Sequence, residues 1–278
     1  MPELPEVEAV RRMLRPVMEG ARFERVELRR PDLRAPFPRR FAERLQGRTV
    51  LALDRRAKYL LAELSSGDTL VMHLGMSGSF RVGFGGDDPG DGAHDHVVFC
   101  MSSGATVTFN DPRRFGSMQL LSPSQRSRHR TLAALGPEPL SGDFDAAVLA
   151  ARCRGRKTSL KAALSDQRVV SGLGNIYACE ALHRAGLSPR RRAASIATRT
   201  GAPREAAHRL AVAIKKVIAG AVARVTIRRD EPGMDYDGDR FRVYGREGRR
   251  CLRSRCPGIV RRIVQGGRST FYCPVCQR

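Results

Sequence analysis

The chain has 278 residues, with 50 Lys and Arg against 28 Asp and Glu, for a formal charge of +22. That length accommodates two domains, each with its own core, and a cation excess of this size would concentrate a polyanion such as nucleic acid at the surface. No apolar run reaches the roughly 20 residues that cross a bilayer. The first residues mix acids and prolines where a leader peptide would have a basic and then an apolar stretch, so a soluble, cytoplasmic protein is expected; it is also expected to be a monomer.

The elements follow in chain order. After Pro2-Glu3-Leu4-Pro5-Glu6, the apolar residues Val7, Val10, Leu14 and Val17 keep helical spacing, which predicts a first helix opened by proline and acids. Up to about residue 121 the pattern changes to short apolar runs split by turn residues, at 50–53, 59–64, 69–74, 97–101 and 105–109. These read as strands of an antiparallel sandwich or barrel. The glycine- and acid-rich stretch 83–92 reads as an exposed loop. Gly136-Pro137-Glu138-Pro139 ends this half, and helices are predicted around 144–154, 159–167, 176–185 and 203–219, the last ending at Gly220. Residues 224–242 are polar, lack a helical period and read as a loop.

Of the 7 cysteines, Cys100, Cys153 and Cys179 are scattered and read as small core residues. The other four form Cys251-x4-Cys256 and Cys273-x2-Cys276. Two close pairs of thiolates on turns can close a tetrahedron round Zn²⁺, which accepts such short spacings. Two disulfides are the competing reading, disfavoured in a cytoplasmic chain. Between the pairs, strands at 259–264 and 269–272 flank the turn Gln265-Gly266-Gly267-Arg268, giving a hairpin with Arg268 near its tip. Arg261 and Arg262 alongside suit a DNA contact, with a purely structural zinc site as the alternative.

The start Met1-Pro2-Glu3-Leu4-Pro5-Glu6-Val7-Glu8 resembles the formamidopyrimidine-DNA glycosylases. So, in the same order, do Arg55-Arg56-Ala57-Lys58-Tyr59-Leu60, His73-Leu74-Gly75-Met76-Ser77-Gly78, Asp111-Pro112-Arg113-Arg114-Phe115-Gly116, Gly172-Leu173-Gly174-Asn175-Ile176-Tyr177-Ala178 and Val243-Tyr244-Gly245-Arg246-Glu247-Gly248. The resemblance implies an α+β protein: an N-terminal antiparallel β-sandwich domain with flanking helices (1–135), a helical helix-two-turn-helix domain (136–240) and a zinc-finger hairpin (241–278). The implied activity is base excision repair of double-stranded DNA, in which formamidopyrimidines and 8-oxoguanine are flipped out and removed and the abasic strand is nicked by β,δ-elimination.

The resemblance also assigns roles. Once the initiator methionine is removed, Pro2 presents a secondary amine with a pKa near the α-amino reference of about 7.7 to 8.0, partly unprotonated at neutral pH, which can attack the sugar carbon bearing the damaged base. Glu3 would move protons at the opening sugar and Glu6 hold the amine and first helix in place; acids also suit the first turn of any helix. Lys58 is implied as an acid/base group in base removal and β-elimination, and Arg268 in the second elimination. Met76, Arg113 and Phe115 match the residues that fill the space left by the flipped base, an apolar side chain, a guanidinium and a ring. His73, His94, Arg113, Arg156 and Asn175 fall at DNA-contacting positions, Asn175 at a helix start that can receive a phosphate. Arg156 replaces a residue that is often lysine.

Two departures stand out. The first cysteine pair is spaced by four residues instead of the family's usual two, and the Gly- and Thr-rich loop that cups the extruded purine is here Arg224-Val225-Thr226-Ile227-Arg228-Arg229-Asp230. The lesion range therefore stays open. The alternatives are an endonuclease VIII-like enzyme for oxidised pyrimidines, or a damage-binding protein without catalysis, which would be expected to lose Pro2, Glu3 or Lys58.

Overall fold

A computed structural model of the protein describes residues 2–85, 92–225 and 241–278. Helix α1 (Leu4–Met18) starts as the sequence predicts, with Pro5 in the first turn, where its missing N–H costs nothing. Its apolar stripe, Val7, Val10, Leu14 and Val17, is buried. Then follow β1 (Phe23–Leu28), the short α2 (Phe41–Leu45), β2 (Val50–Arg56), β3 (Tyr59–Leu64), β4 (Thr69–His73), β5 (Ser79–Phe84), β6 (Asp95–Met101), β7 (Ala105–Asn110) and β8 (Ser117–Leu121), with α3 (Pro123–Arg128) and α4 (Arg130–Ala133) closing this half.

The strands form two four-stranded sheets, β1-β6-β7-β5 and β2-β3-β4-β8. Every pairing in them is antiparallel. One core joins the sheets: Phe23, Phe80, Phe99, Val107 and Phe109 from the first meet Leu53, Leu60, Leu70, Met72 and Leu120 from the second, with the stripe of α1 in the same cluster. The sandwich expected from the short apolar runs is therefore present. Its strands exceed those runs. β1, β5 and β8 are additional because each mixes charged or polar residues among its apolar ones, Glu24, Arg25 and Glu27 in β1 for example, and leaves no continuous apolar run to read.

The second half contains α5 (Ala146–Cys153), α6 (Leu160–Ser165), α7 (Asn175–Ala185) and α8 (Glu205–Arg224), followed by β9 (Arg261–Gln265) and β10 (Arg268–Tyr272). Residues 134–223 and 241–278 form one compact unit, and the sandwich half forms the core of another. Gly220 does not end the last helix as expected. α8 continues through it to Arg224 because buried Ile218 and Ala221 keep packing on either side, which outweighs the roughly 1 kcal/mol that an interior glycine costs. Cys153 and Cys179 are buried as expected, whereas Cys100 is only half-buried: it pairs with exposed Arg25 on the outer face of β6. Positions 86–91 and 226–240, containing most of the two expected loops, lie outside the described residues.

Candidate active site and metal centre

At the start of α1, Pro2, Glu3 and Glu6 are all buried, and the Glu6 carboxylate accepts the Glu3 backbone N–H at 2.8 Å. That bond fixes the direction in which the chain enters the helix, and hence where Pro2 sits. Glu3 and Glu6, each 1% exposed, lie at the positive end of the helix dipole.

Lys58 stands on the hairpin joining β2 and β3. Arg56 pairs with Tyr59, so Ala57 and Lys58 alone make the turn, and Ala57 is left-handed with φ 54°. A left-handed alanine costs about 1–2 kcal/mol and persists only where its surroundings hold it. Here Arg55 holds it: its guanidinium donates to the Ala57 carbonyl at 2.9 Å and to Glu8 of α1 at 3.2 Å. Burial pushes the Glu8 carboxyl up, but Arg11 and Arg55 outweigh it and keep the group below its usual range, so it stays charged at neutral pH. The bridge Glu8–Arg55–Ala57 thus ties the helix carrying Pro2 and Glu3 to the turn carrying Lys58, itself buried.

His73 lies opposite Tyr59, with the rings 4.8 Å apart. Its Nδ1 accepts the Gly75 N–H at 3.0 Å. Burial, with Lys58 and Arg34 adding repulsion, lowers its pKa to about 4. The ring is therefore neutral at physiological pH.

Two turns then meet around buried Asp111. Its carboxylate accepts the Ser77 hydroxyl at 2.6 Å and the Gly116 N–H at 2.7 Å, and Ser77 Oγ in turn accepts the Arg113 N–H at 3.2 Å. The Asp111 N–H donates to the His94 carbonyl at 2.9 Å. The turns touch through backbone: a Cβ on Gly75, whose φ is +67°, would lie 2.3 Å from the Phe115 carbonyl carbon. This clamp leaves Met76 and Phe115 each 42% exposed, with the Arg113 guanidinium 5.0 Å over the Phe115 ring. Exposed Met, Phe and Arg side chains on a rigid platform can wedge between bases and pair with an orphaned one.

In the other unit, Asn175 opens α7, and its side-chain amide donates to the Ser269 carbonyl of β10 at 2.9 Å. Its Oδ1 is buried with no hydrogen-bond partner among the described residues. Gly266 and Gly267, both with positive φ, make the two-residue turn that presents exposed Arg268. Arg156 pairs with Asp166 at 3.1 Å. Cys251, Cys256, Cys273 and Cys276 gather with all four sulfurs within 4.8 Å of one another. Cys251–Cys276 and Cys256–Cys273 are each 3.7 Å apart, close to the about 3.8 Å edge of a tetrahedron with metal–sulfur bonds of about 2.3 Å. Those distances exceed the about 2.05 Å of a disulfide. The four cysteines are thus positioned to bind a metal ion. A Cβ on Gly258 would lie 2.4 Å from Cys273 Sγ, so only glycine fits against that sulfur.

The structure thus brings together Glu3, Glu6 and Pro2; Lys58 and His73; Met76, His94, Arg113 and Phe115; Asn175 and the β10 hairpin; and the four cysteines. Arg55 holds the turn that carries Lys58, and Asp111 and Ser77 hold the two turns that carry Met76, Arg113 and Phe115; sequence reasoning assigned the three no role. Their only sequence signal is their place inside the quoted motifs. Arg34, outside those motifs, is likewise absent from the predicted set.

The family models described as the formamidopyrimidine-DNA glycosylase N-terminal domain and the formamidopyrimidine-DNA glycosylase H2TH domain match residues 1–118 and 135–230. The formamidopyrimidine-DNA glycosylase of Bradyrhizobium sp. (strain BTAi1 / ATCC BAA-1182) is 58% identical over 293 residues, covering 100% of both chains. MutM (Fpg) of Thermus thermophilus is 39% identical with a TM-score of 0.83, covering 99% of this chain and 98% of that one. Fpg of Lactococcus lactis, solved with DNA containing an abasic site, is 29% identical with a TM-score of 0.87 over 100% of both chains; it has also been solved with DNA containing an oxidised pyrimidine.

Proposed function

Because the chain belongs to the formamidopyrimidine-DNA glycosylase family, we propose that it is a bifunctional repair enzyme that excises oxidised purines from duplex DNA and then cleaves the abasic strand. The observation that carries the reading is the bridge Glu8–Arg55–Ala57, which ties the helix bearing Pro2 and Glu3 to the hairpin bearing Lys58.

With Met1 removed, the Pro2 nitrogen is a secondary amine that attacks C1′ of the lesion nucleotide. The base departs as it takes up a proton and the proline nitrogen gives up its own; the C1′–O4′ bond then breaks, the ring oxygen taking up a proton as the sugar opens, and the C1′–N bond becomes an iminium ion. That cation acidifies the C2′ proton; its removal expels the 3′ phosphate, and a second elimination expels the 5′ phosphate. Glu3 and Lys58 supply and accept protons, and Arg268 serves the second elimination. Met76, Arg113 and Phe115 fill the vacated stack, while His73, His94, Arg156 and Asn175 hold the duplex. The domain division 1–135, 136–240 and 241–278 is part of the same reading.

The four-thiolate donor set suits Zn²⁺ in a closed, structural site. Cys251, Cys256, Cys273 and Cys276 would hold one ion, which when bound stabilises the fold of the hairpin that carries Arg268.

Borohydride trapping on duplexes containing 8-oxoguanine opposite cytosine, a formamidopyrimidine, an oxidised pyrimidine or an abasic site tests the proposal, with Pro2→Gly as control. Trapping on purine lesions that disappears in the control supports it. Trapping confined to pyrimidine lesions moves the enzyme to the endonuclease VIII-like reading, and no covalent complex on any substrate leaves a binding protein.

A further inference from the structure

The helix that begins at Asn175 ends against the cysteine cluster. His183, in the last turn of α7, is 1% exposed, and its Nε2 lies 3.3 Å from Cys251 Sγ. Its Nδ1 is buried with no hydrogen-bond partner among the described residues. Whichever nitrogen carries the proton, only Nε2 has a group among them to bond.

A metal-bound cysteine sulfur is a thiolate, with lone pairs and no proton. In the loaded site the contact can therefore be a hydrogen bond in one sense only, with the Nε2–H donating to sulfur. In a metal-free site the Cys251 S–H becomes a donor, and the histidine can switch to the Nδ1–H tautomer and accept it.

A second set of contacts reaches the same helix turn. The Arg253 backbone N–H points to Cys251 Sγ at 3.5 Å, and its guanidinium donates to the His183 carbonyl and, at 3.1 Å, to that of Arg184. Arg253 belongs to the four-residue stretch between Cys251 and Cys256, so this long knuckle is docked on α7 beside the same histidine.

We propose that His183 is part of the metal centre: its Nε2–H bonds the Cys251 thiolate and holds the knuckle on the last turn of α7, making it a positioning residue for the metal, not a ligand. The proposal rests on the reading of the four cysteines as a metal site. A donor at this sulfur offsets its charge and opposes its protonation and escape from the ion, so the bond slows metal release. Outer partners of this kind typically contribute about 10- to 100-fold in metal affinity.

The test uses the full chain loaded with zinc and labelled with ¹⁵N-histidine. Long-range ¹⁵N–¹H spectra, in which the His183 signal is assigned by its loss in the variant, report which ring nitrogen carries the proton before and after chelation. Metal content and the rate of zinc transfer to a chromophoric chelator are then compared for wild type, His183→Phe and His183→Gln. The expected results are an Nε2–H tautomer in the loaded protein, zinc held about 10- to 100-fold more weakly by His183→Phe, and most of that loss recovered by His183→Gln, whose amide keeps an N–H donor.

An Nδ1–H tautomer in the loaded protein, or a His183→Phe variant that holds zinc as wild type does, overturns the proposal and leaves the metal reading intact. Wild-type protein that binds no zinc removes the metal reading and this proposal with it. The tautomer is read on the wild-type chain, so it decides the matter even if His183→Phe fails to fold.

Discussion

Gly75→Ala tests whether the two turns around Asp111 form one rigid platform. The new Cβ would lie 2.3 Å from the Phe115 carbonyl carbon and 2.4 Å from its oxygen, where contacts under 3.0 Å essentially do not occur, so one backbone must give way by at least about 0.7 Å. The positive φ adds about 1–2 kcal/mol of strain. Gly67→Ala separates these effects, since Gly67 has φ +84° and nothing within 4 Å of the added Cβ. A displacement approaching 1 Å in a positioning element can cost about 100-fold in rate. Single-turnover excision of 8-oxoguanine from a duplex should fall by roughly that factor in Gly75→Ala, while cleavage of a preformed abasic site in single-stranded DNA, which needs no base flipping, stays within about threefold of wild type. Gly67→Ala should lose stability and retain both activities. Near-wild-type duplex excision by Gly75→Ala, or an equal loss in Gly67→Ala, would refute the platform.

Arg55→Met removes the charge-assisted bonds that join Glu8 of α1 to the Ala57 carbonyl. The abasic-site cleavage rate should drop by about tenfold with little change in substrate affinity, as for a misplaced acid/base group; a change in affinity alone would argue against the bridge. His73 gives a pH signature. Its folded pKa of about 4 lies below the ordinary 6.5, so between those values the unfolded chain binds more protons, and stability present above pH 6.5 is lost as pH falls towards 4. The full effect is about 3 kcal/mol, and His73→Asn, which keeps an acceptor for the Gly75 N–H, should flatten the denaturation midpoint across that window. Stripping metal with a chelator, or Cys256→Ala, should abolish zinc content and weaken duplex binding; unchanged binding by the stripped protein would show that the finger holds its form without an ion.

What could be read in the sequence follows from how far each cause lies along the chain. The stripe of α1, the paired cysteines and the short apolar runs are local patterns, and each predicts its element within a few residues. β1 escapes because a strand with Glu24, Arg25 and Glu27 on its outer side shows no apolar run, and its place is settled only by pairing with β6, far along the chain. The motifs assigned roles to the functional side chains, whereas the groups that aim them lie in the same motifs without an assigned role. Asp111 reads as a turn residue before a proline until Ser77, Gly116 and the His94 carbonyl close round its carboxylate and backbone. Gly75 reads as a flexible turn residue, although what matters there is the absence of a Cβ against another backbone. Ala57 carries no glycine signal for its left-handed turn, because that conformation is imposed by Arg55. A platform for DNA must be stiff, and its stiffness arises where separate stretches of chain meet. Contacts of that kind leave single acids, glycines and arginines in the sequence, each of which has an ordinary explanation until the fold brings its partners into reach.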